Sequence, residues 1–256
     1  MKQKVNYIKK VNIYKDTLPL WVAVLIKSLF ITFLICCAFV AIFSFIYIKT
    51  PVDGKSMYPN LNAQCYDANG NKIEDANHDY VYINRFSGCD YGNIIVVKNP
   101  EDNDENKYVI KRLIAKDGDK IAFAPITNEA NEEERTYKLF LIKEGASTVE
   151  IIEENYLQEN ESNYEAYKAF INYKTKHPEN FTTIKTAYGE VQFLAIDQGK
   201  MFYVSDNRSN SVLNRDCLDY GAVSNEKFVG RVDIIVPEGK NDFSHIFFYY
   251  WHKIFG

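Results

Sequence analysis

Residues 108–115 read YVIKRLIA and are followed by the turn sequence KDGD at residues 116–119. In a β-strand, alternate side chains share one face, so Lys111 lies on the same face as Val109 and Leu113. Burial between apolar neighbours disfavours the charged form of a lysine and lowers its pKa. A neutral amine of this kind can accept a proton from a serine hydroxyl without help from a histidine. The alternative is an edge strand on which the Lys111 amine faces solvent.

Runs rich in Val, Ile, Tyr and Phe occur on both sides of this strand and are separated by Gly, Asn and Asp. Helical spacing is found only near residues 159–174, where aromatic and aliphatic residues from Tyr164 to Ile171 recur at intervals of three, four and seven. The pattern predicts a mostly-β domain with one helical insertion. The predicted strands are residues 80–85, 93–98, 108–115, 120–123, 136–142, 191–195, 201–204 and 227–236.

Residues 127–187 differ from the rest of this domain in composition. Acidic residues crowd into residues 131–134 and 150–165, and the predicted helix lies in the same segment. Charged runs of this kind are usually solvated faces or tolerated surface insertions. We therefore expect a variable acidic insertion on the surface, with a substrate-selecting role as the alternative.

Towards the N-terminus, residues 28–48 read SLFITFLICCAFVAIFSFIYI, 21 residues without a charge. At about 1.5 Å per residue, a helix of this length spans roughly 30 Å, the thickness of a hydrocarbon core. The run is longer than the apolar region of a cleavable secretory signal, and no small-x-small cleavage site follows it. The sequence therefore predicts a transmembrane anchor over residues 22–49.

The charges around the anchor predict its orientation. The first 20 residues carry five lysines and one aspartate, so residues 1–21 are expected in the cytoplasm and residues 50–256 outside it. The whole chain of 256 residues has a net charge of −4, which offers no basic patch for nucleic acid. Its length allows one sizeable domain beside the anchor.

Several kinds of site are missing from the sequence. It has no Gly-rich phosphate loop, no paired-cysteine zinc spacing and no His-x-x-x-His arrangement, so neither a cofactor nor a metal is predicted. Three cysteines, Cys65, Cys89 and Cys217, lie outside the anchor. An odd number argues against a complete disulfide framework and favours small buried side chains, although a single bridge stays open.

A second chemically suggestive segment follows the anchor at residues 52–61, VDGKSMYPNL. Gly54 permits a tight backbone approach and Pro59 restricts the backbone on the other side of Ser56. A serine on a rigid turn can present its hydroxyl and its own backbone N–H to one substrate carbonyl. The alternative is an ordinary juxtamembrane turn.

Four segments together resemble the bacterial type I signal peptidases. Residues 54–61 resemble the family's serine box, Gly-x-Ser-Met-x-Pro-x-Leu, and residues 92–97, GNIIVV, its Gly-Asp-Ile-Val-Val strand. Residues 108–119 are similar to the lysine box, and residues 206–211, DNRSNS, to the Gly-Asp-Asn-Arg-x-Asn-Ser box. They occur in the family's order behind an N-terminal anchor.

The resemblance implies a mostly antiparallel β fold with Ser56 as the nucleophile and Lys111 as the general base. It also implies preproteins with N-terminal signal peptides as substrates, cleavage after small residues, and the lipid bilayer as a second partner. A catalytically silent, membrane-anchored assembly factor with the same fold is the alternative. Supporting positions implied by the resemblance are Gly54, which is typical of the single-anchor branch, Ser211 as the residue that holds the lysine amine, Asp206 and Arg208.

The chain departs from the family pattern near the last box. Ser205 stands where glycine usually precedes Asp206, and the segment after Ser211 is about three residues longer than in the family. This leaves open whether Arg215 replaces the family's arginine and what Asp216 does.

Overall fold

The structure is a computed structural model that describes residues 19–67, 71–74, 76–100, 108–126, 131–157, 163–208 and 216–255. The chain divides between Phe45 and Ile46 into two units. Helix α1, Leu20–Ile46, makes up nearly all of the described part of the first unit, ends on the first residue of the second, and has no buried residue. Of the described helices, α1 alone is long and apolar enough to cross a membrane. The expected anchor reached residue 49, whereas the helix ends at Ile46 and a strand follows at once.

The described residues of the second unit form twelve strands. They are β1 (Tyr47–Pro51), β2 (Tyr80–Asn84), β3 (Ile94–Lys98), β4 (Tyr108–Lys116), β5 (Lys120–Pro125), β6 (Tyr137–Ile142), β7 (Glu150–Ile152), β8 (Phe181–Thr186), β9 (Gly189–Ala195), β10 (Lys200–Val204), β11 (Val223–Ser224) and β12 (Phe228–Val236).

The strands form two sheets, and every described strand pair is antiparallel. The larger sheet has the order β1-β2-β12-β3-β4-β10-β11, and the smaller one has the order β7-β6-β5-β9-β8. Strand β4 lies inside the larger sheet and continues through a short turn into β5 of the smaller one. The α-helices in the described part of this unit are α2 (Tyr164–Lys176), α3 (Cys217–Tyr220) and α4 (Asp242–Phe255).

The prediction of a mostly antiparallel β fold is confirmed. All eight predicted strands are present, with bounds within about three residues, and α2 occupies the predicted helical segment. Runs rich in Val, Ile, Tyr and Phe predicted these strands, because such side chains pack well on a pleated surface. Four strands were not predicted, namely β1, β7, β8 and β11.

The described part of residues 127–187, expected to be a solvated surface insertion, contributes to the core as well as to the surface. Strands β6, β7 and β8 form three of the five strands of the smaller sheet, and α2 packs on the core. Leu139, Phe140 and Phe170 are buried, with at most 1% of each side chain exposed. Most of the acidic side chains of this segment are exposed or partly exposed, whereas the side chain of Glu154 is buried against Arg208.

Candidate active site

Strand β4 carries Lys111 into the interior of the larger sheet. Lys111 is paired with Ile95 on β3, and its neighbour Arg112 is paired with Val204 on β10. Only 2% of Lys111 is exposed, and its Nζ donates a hydrogen bond to Ser205 Oγ at 2.9 Å. The alternative of an edge strand with the amine in solvent is therefore excluded.

Burial sets the charge state of this amine. It lowers the pKa of Lys111 from 10.5 to about 8, because a charged ammonium loses hydration in the interior. The negative charges of Asp216, Asp219 and Asp206 act in the opposite direction, as does Cys217, but burial is the larger effect. Lys111 therefore exchanges its proton close to neutral pH.

Ser56 lies on a tight turn between β1 and β2 and is partly exposed. Gly54 has a φ of 83°, which favours glycine because a side chain is strained in that region. Met57 and Leu61, each 1% exposed, fix the turn by packing into a small apolar cluster. The backbone N–H of Asn207 donates to the Ser56 carbonyl at 3.0 Å and ties the turn to the loop after β10.

Asn62 and Asp79 hold the other end of this turn, and sequence reasoning missed both. Asn62 is fully buried, and its Nδ2 donates to the Val52 carbonyl at 2.8 Å. The Asn62 N–H donates to Asp79 Oδ2 at 2.7 Å, and the Asp79 N–H returns a bond to Asn62 Oδ1 at 2.8 Å. Asn62 has a left-handed backbone conformation, with φ of 60°. The sequence does not reveal this conformation, because asparagine is also common in ordinary turns.

One cleft brings the serine turn and the lysine strand together. It has a volume of about 580 Å³. Ser56 and Lys111 both line it, and most of the remaining wall is apolar. The lining consists of residues 50–56 and 108–111 together with Ile48, Ile83, Val96 and Val229.

Asp206 and Arg112 form a buried ion pair beside Lys111. Arg112 Nε and Nη2 donate to the two carboxylate oxygens of Asp206 at 2.7 and 2.6 Å. The Arg112 guanidinium lies 3.9 Å from the centre of the Tyr156 ring, which covers it. A two-pronged pair of this kind fixes orientation as well as charge. It therefore joins β4 rigidly to the loop that follows β10.

Arg208 anchors the same loop from its far side. Its side chain is fully buried, and its Nη2 donates to Glu154 Oε1 at 2.6 Å. Its Nη1 donates to Asn163 Oδ1 at 2.6 Å, and its Nε donates to the Ser205 carbonyl at 2.7 Å. Glu154 and Asn163 belong to the acidic segment, so this segment supplies the counter-charge of Arg208.

Asp216, whose role was open, caps the N-terminus of α3. Its Oδ1 accepts from the Leu218 N–H at 2.9 Å, and its Oδ2 accepts from the Ser205 N–H at 3.1 Å. Burial raises the pKa of this carboxyl, and the neighbouring Lys111 partly offsets that rise. Ser211 and Arg215 lie outside the described residues, so the suggested contact between Ser211 and the lysine amine stays a prediction.

Cysteine and histidine side chains do not line the cleft. All five cysteines are free thiols, and none of the four histidines lines the cleft. Across the described ranges, no group of three or more His, Cys, Asp or Glu side chains is arranged to hold a metal ion.

The site thus combines a partly exposed serine on a fixed turn with a buried lysine of lowered pKa. The family model described as signal peptidase, peptidase S26, matches residues 25–237. The chain belongs to the signal peptidase family. No individual curated protein matches it. Membership of this family confirms the resemblance drawn from the sequence and supports signal peptidase activity in general. The antiparallel sheets are consistent with the fold of the family.

Proposed function

We propose that this chain is a membrane-anchored serine endopeptidase that removes signal peptides from exported preproteins. Ser56 is the nucleophile and Lys111 is the general base. The observation that supports the proposal best is the shared cleft, which Ser56 and the buried Lys111 both line. A lysine with a pKa of about 8 is neutral often enough near physiological pH to act as a base.

In the first step of the proposed reaction, the neutral Lys111 amine takes the proton of Ser56 Oγ. Oγ then forms a bond to the substrate carbonyl carbon, and the carbonyl oxygen becomes negative. The backbone N–H of Ser56 stabilises that oxygen as an oxyanion donor. The Lys111 ammonium returns its proton to the leaving amine as the peptide bond breaks, so an acyl-enzyme remains on Ser56.

Hydrolysis of the acyl-enzyme repeats the same proton transfers with water. Lys111 takes a proton from the water that attacks the ester carbon, and Ser56 Oγ recovers it when the ester breaks. The signal peptide leaves with a new carboxyl end. The apolar side chains Ile83, Val96 and Val229 line the cleft and favour uncharged residues next to the bond, and the family resemblance implies that these residues are small.

Cleavage of a model preprotein in detergent by the full-length chain tests this proposal. We expect a single cut after alanine at the first and third positions before the bond. Phenylalanine at the first position should slow the cut by about a hundredfold or more, because a bulky ring does not fit a packed apolar site. Mass spectrometry of the mature product identifies the bond. A folded chain that cuts neither substrate would instead support the silent assembly factor.

We also propose the topology expected from the sequence. The lysines of residues 1–21 stay in the cytoplasm, α1 crosses the membrane, and residues 50–256 form the extracytoplasmic catalytic domain. Signal peptides are themselves apolar segments delivered within the bilayer. An active site outside the membrane but tethered to it by a short chain would meet them where they emerge.

Helix α4 gives this domain a second apolar surface. Lys49 lies three residues after the end of α1. Its Nζ is 2.5 Å from Oδ2 of Asp242, the first residue of α4. Tyr250 hydrogen-bonds Tyr47 of β1, and α4 packs along β12. The opposite face of α4 is apolar and exposed: Phe243, Phe247, Phe248, Trp251, Ile254 and Phe255. We propose that this face lies in the membrane–water interface, where aromatic side chains are favourable.

Binding to neutral phosphatidylcholine vesicles tests the role of α4. In a chain that begins at Ile46 and so keeps β1, we expect the double variant Phe247→Ser and Trp251→Ser to bind about tenfold more weakly, because affinity scales with the apolar area inserted. The variant His252→Ser, on the same helix, should bind like the unmodified chain. Equal sedimentation of all three proteins with vesicles would show that α4 does not enter the interface.

A further inference from the structure

Ser205 occupies the junction between the lysine strand and the loop that carries Asp206. It follows β10 directly, and the pairing of Val204 with Arg112 places it opposite Lys111. It is completely buried. Its Oγ accepts the hydrogen bond from Lys111 Nζ at 2.9 Å.

Both backbone groups of Ser205 are also held. Its N–H donates to Asp216 Oδ2 at 3.1 Å, and its carbonyl accepts from Arg208 Nε at 2.7 Å. Two buried, charged side chains therefore fix the peptide units on either side of Ser205. Because a serine side chain has a single torsion before its oxygen, a fixed backbone leaves Oγ only three staggered positions.

A lysine needs such a fixed partner more than most general bases do. Its amine sits at the end of four rotatable bonds, and ordering them carries one of the largest side-chain entropy costs. Proton transfer requires the nitrogen lone pair to point at the serine hydroxyl within hydrogen-bond reach. A fixed acceptor that takes one N–H of the amine restricts the directions left for the lone pair.

We propose that Ser205 is a positioning residue that holds the Lys111 amine in the orientation needed to deprotonate Ser56. This inference rests on the proposed function of Ser56 and Lys111. Signal peptidases usually carry glycine at the position of Ser205, so the hydroxyl is a feature of this chain. The role proposed for Ser205 is independent of the one predicted for Ser211.

The Ser205 hydroxyl and the charged groups around Lys111 also affect the pKa of the Lys111 amine. Asp216, Cys217 and Asp219 face Lys111 from the start of α3, and Asp206 faces it from the loop after β10. An oxygen that accepts an N–H stabilises the ammonium more than the neutral amine. Removing the Ser205 hydroxyl should therefore lower the pKa of Lys111 further. A change that only loosens the fold would not displace the pH profile in that direction.

The test measures preprotein cleavage by full-length Ser205→Gly and Ser205→Ala in detergent, with Ser87→Ala as a control outside the cleft. We expect kcat of the two Ser205 variants to fall by about 10- to 100-fold with little change in KM. This is the size of effect expected when a hydrogen bond to a charged group is lost. The acidic limb of the pH–rate profile should move to lower pH in both variants and stay in place in Ser87→Ala. Thermal unfolding reports whether each variant is folded.

Two results would overturn the proposal. One is full activity in Ser205→Gly and Ser205→Ala. The other is reduced activity with an unmoved acidic limb, which would give Ser205 a structural role only. A different result, cleavage that survives replacement of Ser56, would contradict the proposed function.

Discussion

Replacing Ser56 with alanine is expected to reduce preprotein cleavage by about five to six orders of magnitude, to the background rate. The substitution removes the atom that forms the acyl bond, and no other hydroxyl occupies its place on the turn. The fold should persist, because the turn is fixed by Met57, Leu61 and the backbone bond from Asn207. We therefore expect an unchanged melting temperature beside the lost activity.

The measurement is single-turnover cleavage of a labelled preprotein by purified full-length protein in detergent. Ser87→Ala, a serine of similar exposure outside the cleft, is the matched control and should cleave at the unmodified rate. Retained turnover in Ser56→Ala, after purification from a host lacking other signal peptidases, would contradict the assignment of the nucleophile.

Replacing Lys111 should be almost as damaging, even where the positive charge is kept. Lys111→Arg retains a cation, but a guanidinium with a pKa above about 12 cannot accept the Ser56 proton. Lys111→Met keeps a similar volume and removes the amine. We expect both variants to lose activity by about four orders of magnitude or more. The methionine variant should melt no lower than the unmodified protein, since burying an amine is costly. Activity in either variant close to the unmodified rate would require a different base.

The same assignment predicts how activity depends on pH. The lowered pKa of Lys111, about 8, means that the amine is mostly protonated below that pH and cannot act as a base. Activity should therefore rise by about tenfold per pH unit on the acidic side and level off above pH 8. Stopped assays across the range, with circular dichroism to check folding, measure this limb. A flat profile from acid to alkaline pH would count against a lysine base.

Residues of the acidic segment contact charged side chains next to the candidate active site. Glu154 and Asn163 hold Arg208, and Tyr156 covers the Arg112–Asp206 pair. Removing one member of a buried ion pair leaves an uncompensated charge, which is strongly destabilising. The segment therefore holds the loop that follows β10, next to Lys111, which is a different role from the substrate selection considered as an alternative.

Much of this arrangement follows from local sequence. Runs of β-branched and aromatic residues between Gly, Asn and Asp identified eight strands, because such side chains fit a pleated, partly buried surface. The uninterrupted apolar run identified α1 as a candidate membrane span, because no soluble core covers all faces of so long a helix. The apolar neighbours of Lys111 and the Gly-Ser-Pro turn identified two candidate site residues before their contacts were known.

Tertiary structure decided the rest, since pairing and burial depend on residues far apart in the chain. Strand β8, FTTIKT, is polar and mostly exposed, and it is a strand because β9 pairs with it. The acidic composition of residues 150–165 concealed Glu154, whose burial depends on Arg208 more than 50 residues away. Ser205 was visible in the sequence only as a replacement for glycine. Its hydroxyl meets Lys111, 94 residues earlier, because β10 pairs with β4, and strand pairing is a long-range choice that local sequence does not encode.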